Sequence, residues 1–91
     1  MVVTIIGKLA ELTGKDRIGI VVKVATILAG ANAGIVDISH STLKDFFYLI
    51  VLADLQKTTV PFEKLQVRLD EAGQSLGMRV DVQHEDLFRS T

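Results

Sequence analysis

Ile35-Val36-Asp37-Ile38-Ser39-His40-Ser41-Thr42, then Leu43-Lys44-Asp45, then Phe46-Phe47-Tyr48-Leu49-Ile50-Val51-Leu52-Ala53, is the stretch on which the fold turns. The first run alternates branched with polar residues, the last is apolar throughout, and the three residues between them make a short turn, so the pattern predicts a β-hairpin. Both faces of the second strand are apolar. Phe47, Leu49, Val51 and Ala53 would pack under a covering layer, while Phe46, Tyr48, Ile50 and Leu52 would line the other face.

Each side of this hairpin carries a helical pattern. Upstream, only Lys23 and Thr26 are polar in residues 18–29, three apart and so on one helical face, while Val21, Val24, Ala25 and Leu28 recur at helical spacing. The β-branched content favours a strand, but twelve residues exceed a typical buried strand, and Gly30 stands where a helix ends. Downstream, after the polar loop 56–59, Pro61 takes a first-turn position. Phe62, Leu65, Leu69, Ala72 and Leu76 then step by three and four along one stripe, and Gly77 closes the helix.

The outermost segments complete the pattern. Residues 2–6 are β-branched and stop at Gly7, with weaker strand propensity over 9–13. Met78, Val80 and Val82 alternate with Arg79, Asp81 and Gln83 as a last strand, and residues 84–88 form a terminal turn. The order strand, helix, strand, strand, helix, strand predicts an α+β, ferredoxin-like βαββαβ fold: a four-stranded antiparallel sheet with two helices on one face. Right-handed crossovers place the first and third strands centrally and the second and fourth at the edges.

Composition narrows the function. The chain has 91 residues, no cysteine and a formal net charge of −1, which excludes disulfides, thiolate metal sites and thiol catalysis and fits a reducing, cytoplasmic setting. The charge balance lacks the basic footprint of a nucleic-acid or anionic-membrane binder. A mean hydropathy of +0.37 is high, yet the longest uncharged stretch, residues 24–36, falls short of the roughly 20 apolar residues of a membrane span. No basic segment precedes an apolar one, so no secretory signal is expected. The surplus apolar surface, including the second face of the third strand, is expected to be buried in a homo-oligomer.

Among candidate sites, Gly14-Lys15-Asp16-Arg17-Ile18-Gly19 joins the first strand to the first helix, where outward N–H groups and the helix dipole favour a carboxylate or phosphate. Asp16 would cap the helix or take an amine. His40 and His84, with Glu85 and Asp86, suggest a metal, but the fold puts the histidines on opposite edge strands roughly 14 Å apart, so no metal site is expected within one chain. Lys44, Phe46 and Tyr48 approach the offsets of RNA-recognition strands, but Asp45 and Phe47 replace that motif's small residues and no aromatic stands on the first strand. No nucleophile–base pair or carboxylate motif is evident. Glu63, Asp70 and Glu71 lie off the apolar stripe as solvated charges, so no catalytic residue and no cofactor is expected.

Taken together, residues 14–21, Ile35-Val36-Asp37-Ile38-Ser39, Phe46-Phe47 opening a strand that ends in Asp54-Leu55, and Val82-Gln83-His84-Glu85-Asp86-Leu87-Phe88 resemble an ACT domain over nearly the whole chain from about residue 8. The pattern is most similar to the small stand-alone ACT proteins of bacteria and archaea, which are related to the regulatory domains of the glycine cleavage repressor. The resemblance implies a single ACT-like domain over residues 1–91 that forms homodimers or larger assemblies. It also implies allosteric binding of an amino acid or similar small effector and action on a regulated protein.

It assigns ligand contacts to Asp16, Arg17, Ile18, Gly19 and Ile20 after the first strand, and to Gly34, Ile35 and Val36 at the start of the second. The effector's carboxylate would face backbone N–H groups and its amine a side-chain or carbonyl oxygen. The chain departs from the family pattern at Ile18, where proline is common, and at Gly34, where stand-alone members often carry asparagine. The motif also sets residues 1–7 apart. They would extend the first strand through a bulge at Gly7 or add to a neighbouring subunit's sheet edge. Loss of a ligand-holding amide at Gly34 leaves a purely structural or protein-interaction module on the same scaffold as the alternative function.

Overall fold

The computed structural model describes residues 1–84, with the rest of the expected terminal turn outside them. The hairpin forms from β2 (Gly34–Leu43) and β3 (Phe46–Asp54). Leu43 belongs to β2, so only Lys44 and Asp45 make the turn, with Lys44 at a positive φ of 55°. Around the hairpin stand β1 (Val2–Lys8), α1 (Gly14–Gly30), α2 (Phe62–Gln74) and β4 (Arg79–Gln83), and the sheet order is β2-β3-β1-β4 with every pairing antiparallel. This is the expected ferredoxin-like topology, with β1 and β3 central.

Strand alternation sorts the sheet into two faces. Val3 and Ile5 of β1 and Phe47, Leu49, Val51 and Ala53 of β3 are buried under the helices, where they meet Ile20, Val24 and Leu28 of α1 and Leu65 and Leu69 of α2. Each fully buried Val, Ile or Leu side chain among them contributes about 1.5–3 kcal/mol of transfer free energy. Gly73 lets α2 approach β4, because a Cβ there would run into Val80 Cγ2 and lie 3.3 Å from the Met78 carbonyl oxygen.

Several boundaries differ from the sequence reading, each for a local reason. Helix α1 starts at Gly14, four residues before Ile18, because Thr13 caps it: the Asp16 N–H donates to Thr13 Oγ1 at 3.0 Å and the Thr13 N–H donates to Asp16 Oδ2 at 2.9 Å. Asp16 is therefore the third residue of a capping box, not the N-cap. At the other end Gly30 remains helical. The left-handed position falls to Asn32, at φ 58°, whose side-chain amide donates to the Lys57 carbonyl at 2.9 Å.

Residues 9–11 form a 3₁₀ turn rather than strand, tied to the hairpin by the Leu9 N–H donating to the Asp45 carbonyl at 2.8 Å. No bulge occurs at Gly7, which pairs in register with Phe47; the irregularity lies in β2 between Ile35 and Asp37. Gly7 serves close packing instead, since a Cβ there would sit 2.6 Å from Leu12 Cδ1. Helix α2 ends at Gln74, before Leu76, and the turn that follows is completed by Gly77 at φ 70°. No described helix is long and apolar enough to cross a membrane.

Candidate functional site

The start of α1 lies against the far end of β2 because the two elements run antiparallel, α1 ending where β2 begins. An open cleft of about 540 Å³ results, walled by Gly14, Arg17, Ile18 and Val21 from the helix and by His40, Ser41, Thr42 and Phe47 from the hairpin. The size suits a small metabolite. Ile18, 68% exposed, and half-buried Val21 form an apolar wall, and the His40 ring lies 6.4 Å from that of Phe47.

Arg17 is the charged group of this cleft. Its guanidinium folds back along the first turn, with Nη2 placed 3.8 Å from where a Cβ on Gly14 would stand. Its Nε is buried and has no hydrogen-bond partner, a cost of about 1–3 kcal/mol for an unsatisfied buried donor. The capping box occupies the Thr13 and Asp16 amides, while among the described residues those of Gly14 and Lys15 meet no acceptor. A guanidinium and two free amides at a helix N-terminus are suited to a carboxylate or phosphate. Asp16 is less suited to an amine than the sequence reading supposed, since one carboxylate oxygen already accepts the Thr13 N–H.

The eight residues assigned from the family resemblance do not converge within one chain. Arg17 and Ile18 line the cleft, Gly19 lies one residue further along α1, and Ile20 is fully buried in the core. Gly34, Ile35 and Val36 lie at the opposite end of β2; Gly34 lines a separate cleft of about 440 Å³ with Asn32, Asp54, Gln56 and Lys57. The thirteen residue steps from Arg17 to the end of α1 span about 20 Å. Sequence reasoning missed Ser41, Thr42 and Phe47 as cleft residues and considered His40 only as a metal ligand. The β2–β3 register, with His40 opposite Leu49 and Thr42 opposite Phe47, turns both towards the helix side. The two imidazoles have separate surroundings, His84 being stacked on Phe62 with ring centroids 4.5 Å apart.

A βαββαβ fold with an open, cationic cleft at the start of its first helix defines the class. The ACT domain family model matches residues 1–83. The chain is 42% identical over 79 residues to a UPF0237 protein of Methanocaldococcus jannaschii, covering 87% of this chain and 88% of that one. It is 46% identical over 77 residues to a UPF0237 protein of Methanopyrus kandleri, covering 85% and 86%. Among solved structures, an ACT domain protein from Streptococcus pneumoniae superposes with a TM-score of 0.70 at 24% identity, over 90% of this chain and 84% of that chain. A formyltetrahydrofolate deformylase from Pseudomonas syringae contains a similar fold, with a TM-score of 0.63 at 20% identity over 88% of this chain and 26% of its own. The chain belongs to the ACT domain family.

Proposed function

We propose that this chain is a non-catalytic regulatory domain that acts as a homo-oligomer and binds an amino acid or similar small carboxylate at a site shared by two copies. The observation that carries the reading is the buried, unpartnered Nε of Arg17 in the cleft at the start of α1. An incoming carboxylate accepts from the guanidinium and the first-turn amides, and the apolar wall of Ile18 and Val21 takes the effector's side chain.

The second copy supplies what one chain lacks. Strand β2 is a free edge of ten residues, all exposed, and antiparallel pairing with its counterpart satisfies its open backbone groups. From Asp37 to Leu43 faces alternate every residue, so only even registers keep inside and outside matched across that part of the pair. A dyad at Ile38, near the strand's midpoint, obeys this over its regular part and, past the irregularity between Ile35 and Asp37, brings the Gly34 end of the second copy beside the Thr42 end. The two assigned halves then meet across the boundary, Arg17 and Ile18 from one copy and Gly34, Ile35 and Val36 from the other. Val22, 57% exposed on α1, extends the same apolar flank.

Regulation follows by linkage: an effector that binds the paired form better than the separated form shifts the population towards it, and a regulated protein that distinguishes the two reads the shift. The cysteine-free composition fits a cytoplasmic location. The test is a thermal-shift screen against the twenty amino acids at millimolar concentration, repeated on Arg17→Gln. A ligand at about 100 times its Kd adds about 2.7 kcal/mol, more than about 10 °C in a domain this small. A selective shift lost in Arg17→Gln supports the reading. A flat response to all twenty favours the structural or protein-interaction module.

A further inference from the structure

A third cleft, of about 480 Å³, lies on the opposite face of the sheet. Phe46 and Phe47 are neighbours in β3 but point to opposite faces, so Phe47 lines the effector cleft under the helices while Phe46 lines this one. Its floor is aromatic and apolar: Phe46 and Tyr48, two residues apart on β3, stand beside Ile6. Its cations are Lys8, paired in register with Phe46, and Arg79, paired with Ile6 and so one strand further from Tyr48. Strand spacings of about 4.8 Å put both within about 10 Å of the aromatic pair. Among the described residues neither cation has an ion-pair partner. Glu11 at the rim is an acceptor suited to ligand hydroxyls.

We propose that this cleft binds a small anion carrying a flat ring, of the nucleoside monophosphate class, with the ring stacked on Tyr48 and Phe46 and the phosphate held by Lys8 and Arg79. Ring stacking on aromatic side chains tolerates any base, and arginine suits a phosphate through its planar fork. With one net positive charge from Lys8, Arg79 and Glu11, and a net charge of −1 over the chain, the field fits a single phosphate better than a polyanion. The site is independent of the effector cleft, which lies across the sheet and depends on Arg17.

Tyr48 is the only tyrosine and the chain has no tryptophan, so intrinsic emission reports this site alone. Titration of the full chain with AMP, inorganic phosphate, adenosine and an oligoadenylate is expected to give saturable quenching of Tyr48 by AMP. Phosphate alone should not quench, and adenosine should bind at least tenfold more weakly than AMP. The double variant Lys8→Gln/Arg79→Gln should weaken AMP by at least tenfold with an unchanged circular dichroism spectrum, whereas Arg17→Gln should leave AMP binding intact. Absence of quenching at millimolar AMP, insensitivity to the double variant, or loss of AMP binding in Arg17→Gln would each overturn the proposal. Oligoadenylate binding far tighter than AMP with a steep salt dependence would also overturn it, because the ligand would then be a nucleic-acid strand.

Discussion

Strand β2 runs ten residues along one edge of the sheet with every residue exposed, whereas β4 closes the other edge with five residues whose outward members are Arg79, Asp81 and Gln83. The β4 edge is short and polar, two of the devices by which a sheet discourages further pairing. Its inward residues, Val80 and Val82, pack against the core beside α2. The β2 edge is not short, and its polar residues alternate with branched apolar ones. It is long, carries exposed Ile35, Val36 and Ile38, and is flanked by exposed Ile18 and Val22 of α1. The difference teaches that one side of the molecule is finished within the chain, while the other leaves a long pairing edge and apolar side chains open, the side that the proposed second copy would complete.

Substitutions on the two sides should therefore fail in different ways. The largest effect belongs to the finished side: Leu69→Ala, emptying a fully buried position under α2, is expected to cost about 2–5 kcal/mol, read as a lower urea midpoint. Gly73→Ala comes next. The new methyl collides with Val80 Cγ2, and overpacking of this kind costs about 1–3 kcal/mol; scanning calorimetry should show a lower Tm.

The capping box at the start of α1 gives a smaller loss. Thr13→Ala removes the acceptor for the Asp16 N–H and is expected to cost about 1 kcal/mol, measurable by chemical denaturation. This same box explains why the helix start was not legible in the sequence. Glycine at 14 and charges at 15–17 look like a turn, and only the reciprocal bonds between Thr13 and Asp16 show that they are helical. By contrast α2 was readable from its single apolar stripe, and β3 from a short continuous apolar run bounded by a turn, because both signals are local. The cleft was half legible: Arg17 and Ile18 stand in the quoted motif. His40, Ser41 and Thr42 join them through the packing of β2 against α1, a contact between residues more than twenty positions apart that no local pattern announces.

Two valines sharpen the comparison with the smallest expected change in fold stability. Val22 on α1 is 57% exposed and Val67 on α2 is 54% exposed, so a charge at either should alter the single chain's stability by less than about 0.5 kcal/mol. Their effects on assembly should differ. Val22→Glu buries a charge between copies and should reduce the particle mass measured by light scattering to that of a single 9.9 kDa chain, while Val67→Glu should leave the assembly unchanged. Equal behaviour of the two variants would remove the distinction between the sides.

The shared site is tested most directly by mixing two defective chains and measuring binding of the amino acid selected in the thermal-shift screen by calorimetry. Arg17→Gln removes the anion-holding half and Gly34→Phe blocks the other; the nearest atom to a Cβ at Gly34 is Asp54 Cβ at 3.9 Å, so the backbone there admits a Cβ without a clash. Each variant alone should fail to bind. After mixing and exchange, a mixed pair has one site with both defects and one with neither, and binding should return at one effector per mixed pair with the affinity of the unaltered protein. A mixture that stays silent although mixed pairs form, or an Arg17→Gln chain that binds unaided, would contradict a site shared between copies.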